Sequence, residues 1–471
     1  MKTRILIKKF EKTKILIVLL VFICMLSGCA GEAPGVVKMP DASMTAEVAN
    51  ATGTSSMPAM AEALKVPEML GTPEATGVMA EAEVEAEVEA EAIAGDAGEA
   101  GEAPKERGMP EASEGAKTQM THECDFNKLE IIGSLALSYA TQFRVDYLSD
   151  GCSLITIQES GRFLVVPEGQ EPPLNVAKDV TVLRQPIENV YLAATSAMCL
   201  FDALDALGHI TLSGTKADGW YIVNAREAMA RGEMIYAGKY SAPDYEMLML
   251  KNCGLAIEST MIYHAPTVLE KLKTIGIPVL VERSSYETHP LGRTEWIKLY
   301  GLLTGNENRA ATLFEEQVAY LDRIPQLDTG KTVAFFYISS SGSAVARKNG
   351  DYAIKMIELA GGNYVFSDLG DMTDSATGSV NLEMERFYAD AKNADIIIYN
   401  SSIDGEINTN GELLAKSPLL ADFKAVKNGD VWCTNKNMFQ ETTEFGLMIS
   451  DMNQIFTGVV SDNLNFYYKL R

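Results

Sequence analysis

Glu282, Arg283, Tyr286, Glu287 and His289 crowd together where an apolar run ends, in VLVERSSYETHPLGRTEWIKLYG, residues 279–301. Carboxylates, an imidazole, a guanidinium and a phenol are the groups used for proton transfer, for metal ligation or for holding an anion. Catalysis has little else to draw on here. No nucleophile elbow, P-loop or HExxH occurs, and AGGNY and SSSGSAV lack the pattern of a phosphate cradle. Metal ligation has few donors. The chain has 4 histidines, and of these His264 and His289 each follow a strand-like run and could face one cleft. With Glu258 or Glu287 they would make a bare zinc or manganese site. No histidine lies in the second half of the fold to complete it. Cys124, Cys152, Cys199, Cys253 and Cys433 form no CxxC pair, which argues against a zinc knuckle. Cys199 and Cys253 sit in apolar runs and read as core, while pairing of Cys124 with Cys152 is left open.

The elements that must position these residues begin with short alternating segments. QFRVDYLS, CSLITIQES and RFLVVPE, separated by turns at Asp150-Gly151 and Gly161, read as antiparallel strands of a β-rich extension, 121–187. From residue 188 strands alternate with helices. NVYLAA, HITLSGT, MIYAGKY, GLAIEST and IPVLVER are strands, and TSAMCLFDALDAL, SAPDYEMLMLKN and APTVLEKLKTIG are helices. Apolar strands each followed by a helix predict a parallel sheet covered on both faces, the lobe 188–292. RTEWIKLYGLLTG and NENRAATLFEEQVAYLDRI then run helical with no strand between them, a linking region over 293–328. The alternation restarts with KTVAFFYIS and continues through DIIIYNS, DVWCT and a last amphipathic helix near EFGLMISDMNQIFTGVV, giving a second lobe over 329–471.

The front of the chain is of another kind. MKTRILIKKFEKTK and ILIVLLVFICML are the basic and apolar parts of a signal peptide, 1–28. LSGC, ending in Cys29, resembles the bacterial lipobox, which implies a lipidated cysteine and a tether to a membrane surface. Residues 29–120 are rich in Ala, Glu and Gly and poor in aromatics, the composition of a disordered spacer. The net charge of -24 divides into roughly +5 in the signal, -13 in the spacer and -16 in the remainder. That acidity excludes nucleic acid as a partner class, because phosphate binding needs clustered Lys and Arg.

Ligands of open α/β sheets sit beyond the carboxyl ends of the strands. The residues there that suit a flat or anionic chelate are Ser196, Trp220, Tyr240, Tyr263, Arg283, Tyr286, His289 and Arg347. The loop SSSGSAVARKNG is read as a mobile segment at the cleft mouth.

Four stretches carry a family resemblance: PIENVYLAATSAMCLFDALDAL, APDYEMLMLKNCGLAIES, MERFYADAKNADIIIYNS and SPLLADFKAVKNGDVWCT. In order and spacing they resemble the ABC-importer solute-binding proteins that carry ferric siderophores, haem or cobalamin. Cys253-Gly254 stands where that family has Pro-Asp. RFLVVPEG and SGTKADGWYI are similar to a lipid-anchored iron-type subgroup. The resemblance implies an α/β fold of two lobes with mainly parallel sheets, joined by one long helix, with the ligand cleft between them. It implies a monomer without a resident cofactor that delivers an iron chelate, haem or cobalamin to ABC permease subunits. Glu246 and Glu385 stand nearest the positions at which the family docks on its permease, with Glu383 competing for the second. The alternatives are a direct zinc or manganese binder and a surface adhesin or receptor scaffold on the same fold.

Overall fold

At Gly151 and Gly161 the backbone takes φ of 90° and 126°, a region that side chains resist, and there the chain reverses between strands. This is seen in a computed structural model that describes residues 124–325, 327–370, 378–461 and 464–471. The expected signal peptide, Cys29, the acidic spacer and His122 lie outside the described residues. The extension is a five-stranded sheet in the order β1 (Ile131–Ser134), β2 (Phe143–Leu148), β3 (Ser153–Ile157), β4 (Gly161–Val166), β5 (Val180–Arg184). The first three pairings are antiparallel, and β5 runs parallel to β4. Alternation along the strands sends Val145, Ile155 and Phe163 towards the main core, and Leu154, Cys152 and Leu164 into a separate cluster on the other face.

The first lobe has the parallel sheet its apolar strands predict. Its five strands are β6 (Val190–Leu192), β7 (Ile210–Ser213), β8 (Ile235–Tyr236), β11 (Leu255–Glu258) and β12 (Val279–Val281), in the order β12-β11-β6-β7-β8. Every pairing in it is parallel. A small ladder, β9 (Gly238–Lys239) with β10 (Ala242–Pro243), stands beside it. Leu192, Ile257 and Leu280 face one core, while Tyr191, Ala256, Val279 and Val281 face the other. Flanking helices start on stop-and-start signals legible in the chain. Asp244 caps Tyr245–Leu250 by accepting from Met247 N–H at 3.0 Å, and Pro266 opens Pro266–Thr274.

In the second lobe β13 (Lys331–Ile338), β14 (Ala344–Arg347), β15 (Gly362–Tyr364), β16 (Ser379–Leu382), β17 (Ile396–Tyr399), β18 (Val431–Thr434) and β19 (Tyr467–Lys469) form one seven-stranded sheet. β15, β13, β17 and β18 pair in parallel, and β14, β16 and β19 add antiparallel edges. SSSGSAVARKNG, read as a mobile loop, is instead a β-hairpin. Ser339 N–H donates to Ser343 O at 2.9 Å, and β14 behind that turn is buried throughout.

The link is helical, as the uninterrupted pattern predicts, and it comes in three pieces: Pro290–Glu295, Ile297–Thr304 and the 16-residue Glu307–Asp322. Gly305, at φ 72°, ends the second piece in the left-handed region. The chain then folds back, so that Ile297–Thr304 packs against Glu307–Asp322. A side chain at Gly301 would put its Cβ 2.6 Å from that of Ala310, so glycine lets the two helices approach.

Candidate functional site

The carboxyl ends of the two sheets face each other. After β6 the turn Thr195–Ala197 packs against Met438–Gln440, which follows β18 of the second lobe. At the base of this cleft sits Glu282, fully buried. It accepts from Ser284 N–H at 2.9 Å and from the Ser196 hydroxyl at 3.2 Å. Burial holds its carboxyl above the usual range, opposed by Ser284, Arg293 and Ser196. Arg293, from the first linking helix, is 8% exposed and lies over the Tyr352 ring at 3.9 Å, with Phe445 at 5.7 Å. On its second-lobe side is Asp351, which caps Tyr352–Leu359 by accepting from Ala353 N–H at 2.8 Å. Burial raises the Asp351 carboxyl too, against the pull of Arg347 and then Arg293. Arg347 is buried at the end of β14, 3.6 Å from Asp351 and 5.4 Å from the Phe439 ring. Glu441 follows in the turn after β18, beside Asn437 and Glu444, with burial pushing it up to about 7.

Of the residues read from the sequence, Ser196 and Arg347 therefore sit where the lobes meet. His289 is at the edge of the link. Its Nδ1 accepts from Leu291 N–H at 3.2 Å, its ring stacks on Tyr139 at 4.5 Å, and burial with Lys355 nearby lowers it to about 4. Tyr240 is half-buried in the turn between β9 and β10. Arg283, Tyr263 and Tyr286 correct the expectation that their loops open into the cleft, because Arg283 and Tyr263 take partners in the extension and Tyr286 lies under the Arg283 guanidinium. Arg283 donates to Glu159 at 2.9 Å and to Gln142 at 3.3 Å, and covers Tyr286 at 4.2 Å. The Tyr263 hydroxyl donates to Glu159 O at 3.2 Å. Trp220 is a second correction. It is a core side chain, 1% exposed, with its indole N–H donating to Ser213 Oγ at 3.2 Å. Glu246 and Glu385 are both exposed, each in the first turn of its helix.

The proposed metal donors are not brought together, and no group of three or more His, Cys, Asp or Glu fit for a metal ion exists among the described residues. His264 is exposed. Glu287 is consumed by the extension, accepting from Thr141 N–H at 2.8 Å, Gln142 N–H at 2.9 Å and the Trp296 indole at 3.1 Å. Glu258 is fully buried, with neither carboxyl oxygen hydrogen-bonded, and burial pushes it up to about 8. The five described cysteines are free thiols, including Cys124 and Cys152.

Two cavities lie elsewhere. One of about 600 Å³, lined by Asp202, Asp205, Asn224, Arg231 and Glu233, opens at the amino end of β7. One of about 240 Å³, lined by Tyr147, Lys298 and Glu307, separates the extension from the link. Sequence reasoning missed Arg293, Asp351, Phe439, Gln440 and Glu441. The signal for the last three was present, because MFQETTE follows the strand DVWCT at its carboxyl end.

Comparison with known proteins places these observations in a family. Residues 204–437 match the periplasmic binding protein family. Lipoprotein MJ0872 of Methanocaldococcus jannaschii is 24% identical over 383 residues, 77% of this chain and 95% of that protein. Lipoprotein MJ0878 of the same organism is 26% identical over 314 residues, 63% of this chain and 72% of that one. Among solved structures, the periplasmic haem-binding protein HutB of Vibrio cholerae is 18% identical, covering 56% of this chain and 97% of its own, at a TM-score of 0.45. The petrobactin-binding protein YclQ of Bacillus subtilis is 11% identical, covering 58% and 93%, at a TM-score of 0.47. The matched family consists of substrate-binding proteins of ABC transporters, not enzymes. Over residues 204–437 the chain belongs to the periplasmic binding protein family.

Proposed function

We propose that this is a lipid-anchored, extracytoplasmic solute-binding protein that captures an iron chelate, or a related haem or cobalamin ligand, and hands it to an ABC importer. The observation that carries the ligand class is the cleft base. Arg293 lies on the faces of Tyr352 and Phe445, and Arg347 stands beside Phe439. Two buried guanidinium groups set among aromatic rings suit a large, flat or anionic ligand, with rings supplying contact area and Arg pairing with oxygen. Cys29 in LSGC supports the anchor, together with the lipoprotein relatives. Exposed Glu246 and Glu385, one on each lobe, support docking on a permease.

The test is a thermal-shift panel of ferric catecholate and hydroxamate chelates, haemin, cyanocobalamin, zinc and manganese. A ligand at a hundred times its Kd stabilises the folded state by about 2.7 kcal/mol, a rise of roughly 4 °C for a fold of this size. A rise with zinc or manganese alone would replace the chelate reading with the metal one. No rise with any member of the panel would sink both.

A further inference from the structure

Gln440 reaches across the cleft. Its Oε1 accepts from Tyr221 N–H at 2.8 Å, and its Nε2 donates to Gly219 O at 2.9 Å. A carboxamide carries an acceptor and a donor side by side, as a peptide group does. Here it pairs with the backbone of the first lobe much as an added strand residue would. Its target is backbone, so the contact depends on Gln440 and on the position of its turn, not on any first-lobe side chain. That turn is firmly held by its own lobe. Met438 is fully buried, Asn437 reaches Glu441 at 3.5 Å, and Lys436 pairs with Glu406 at 3.0 Å. On the facing side, Gly219 closes the short turn Ala217–Gly219, and the neighbouring Trp220 is anchored in the core. Both ends of the contact are thus fixed to their own lobes, and the carboxamide spans the gap between them.

We propose that Gln440 is a latch that holds the two lobes together, so that ligand passes into the cleft only from conformers in which both hydrogen bonds are open. Two such bonds bias a closed–open equilibrium by about tenfold. The effect on ligand rests on the solute-binding reading above, since apparent affinity falls with the fraction of chains able to bind. The latch itself does not rest on that reading.

The experiment is residue-resolved hydrogen exchange on the full, ligand-free chain. In Gln440→Ala the Tyr221 amide should exchange about tenfold faster than in the parent. Gln440→Glu keeps an acceptor for Tyr221 N–H but sets a carboxylate oxygen against Gly219 O, and should restore only part of the protection. The amides of Ala256 and Glu282, bonded to Pro278 O and Glu258 O inside the sheet, should not change in either variant. The latch is overturned if Tyr221 keeps its parent exchange rate in Gln440→Ala. It is also overturned if Ala256 and Glu282 accelerate with Tyr221 and Gln440→Glu restores none of the three. A ligand panel without a hit would remove the solute-binding reading and leave this result standing.

Discussion

Glu258 is a carboxyl group placed by the period of a strand. β11 turns Leu255 and Ile257 to one core and Ala256 and Glu258 to the other, where Glu258 pairs in register with Val281. Tyr191, Tyr245 and Cys253 are the ionisable groups that face it, and no cation is among them. Its proton is therefore retained to about pH 8 in the folded chain, against about 4.3 for an unperturbed glutamate. Between those values the folded state binds more protons than the unfolded one, so this group's stabilisation is complete below the lower value and is lost as pH rises through the higher. Relative to Glu258→Gln, the parent's unfolding free energy should fall between pH 5 and pH 8, by on the order of 3 kcal/mol at the upper end, read as a falling melting temperature. A parallel pair of pH profiles would refute this placement of the charge. Residue types at the cleft were legible in the sequence; the direction of each side chain was not. Arg283 turns away because Glu159, more than a hundred positions earlier, offers it a carboxylate, and no local pattern announces that partner.

The extension grips the link through two carboxylates. Glu295 accepts from the backbone N–H groups of Ser138, Tyr139 and Ala140 at 2.8–3.0 Å, with Lys298 at 2.7 Å. Glu287 takes the next two amides, Thr141 and Gln142. Consecutive N–H groups curled around an anion make a compact binding concavity, and here both anions are side chains of the protein itself. Glu287→Ala would leave two amides and the Trp296 indole without their acceptor, at a cost on the order of 3 kcal/mol. Chemical denaturation measures it, and faster exchange at Thr141 and Gln142 should accompany the loss. Gly301→Ala tests the helical hairpin. The added Cβ must push Ala310 aside, so the variant should lose about 1–3 kcal/mol, while an exposed control such as Asn308→Ala should lose far less. The helical character of the link could be read from its apolar spacing and lack of strand signals. Its division at Gly305 is where RTEWIKLYGLLTG and NENRAATLFEEQVAYLDRI part; the reversal there could not be read, because a glycine between helical patterns is as compatible with a kink or a close approach as with a turn back.

At the scale of the described residues, the order of elements carried the plan: a β-rich extension, a parallel first lobe, a helical link and a second α/β lobe. The antiparallel edges β14, β16 and β19 were not legible, since short strands such as SVNL and YYK carry little periodic signal. At this scale the proposed docking residues matter most. Glu246→Arg should reduce ligand uptake by cells about a hundredfold, through loss of a charge pair with the permease and introduction of a like charge. Binding by the isolated protein should stay as it was, since Glu246 is exposed and distant in sequence from the cleft base. Undiminished transport by the variant would discard the docking assignment. The grip of Ser138–Gln142 on Glu287 and Glu295 also bears on the order in which the molecule assembles. Its partners are 145–157 positions apart, so the extension, though it precedes both lobes, cannot finish folding until the link has been formed and brought back to it. Such long-range closure makes for slow folding. The rate-limiting event should therefore be the joining of the first-formed segment to the middle of the chain, and weakening either carboxylate should slow refolding if that junction is already made in the transition state.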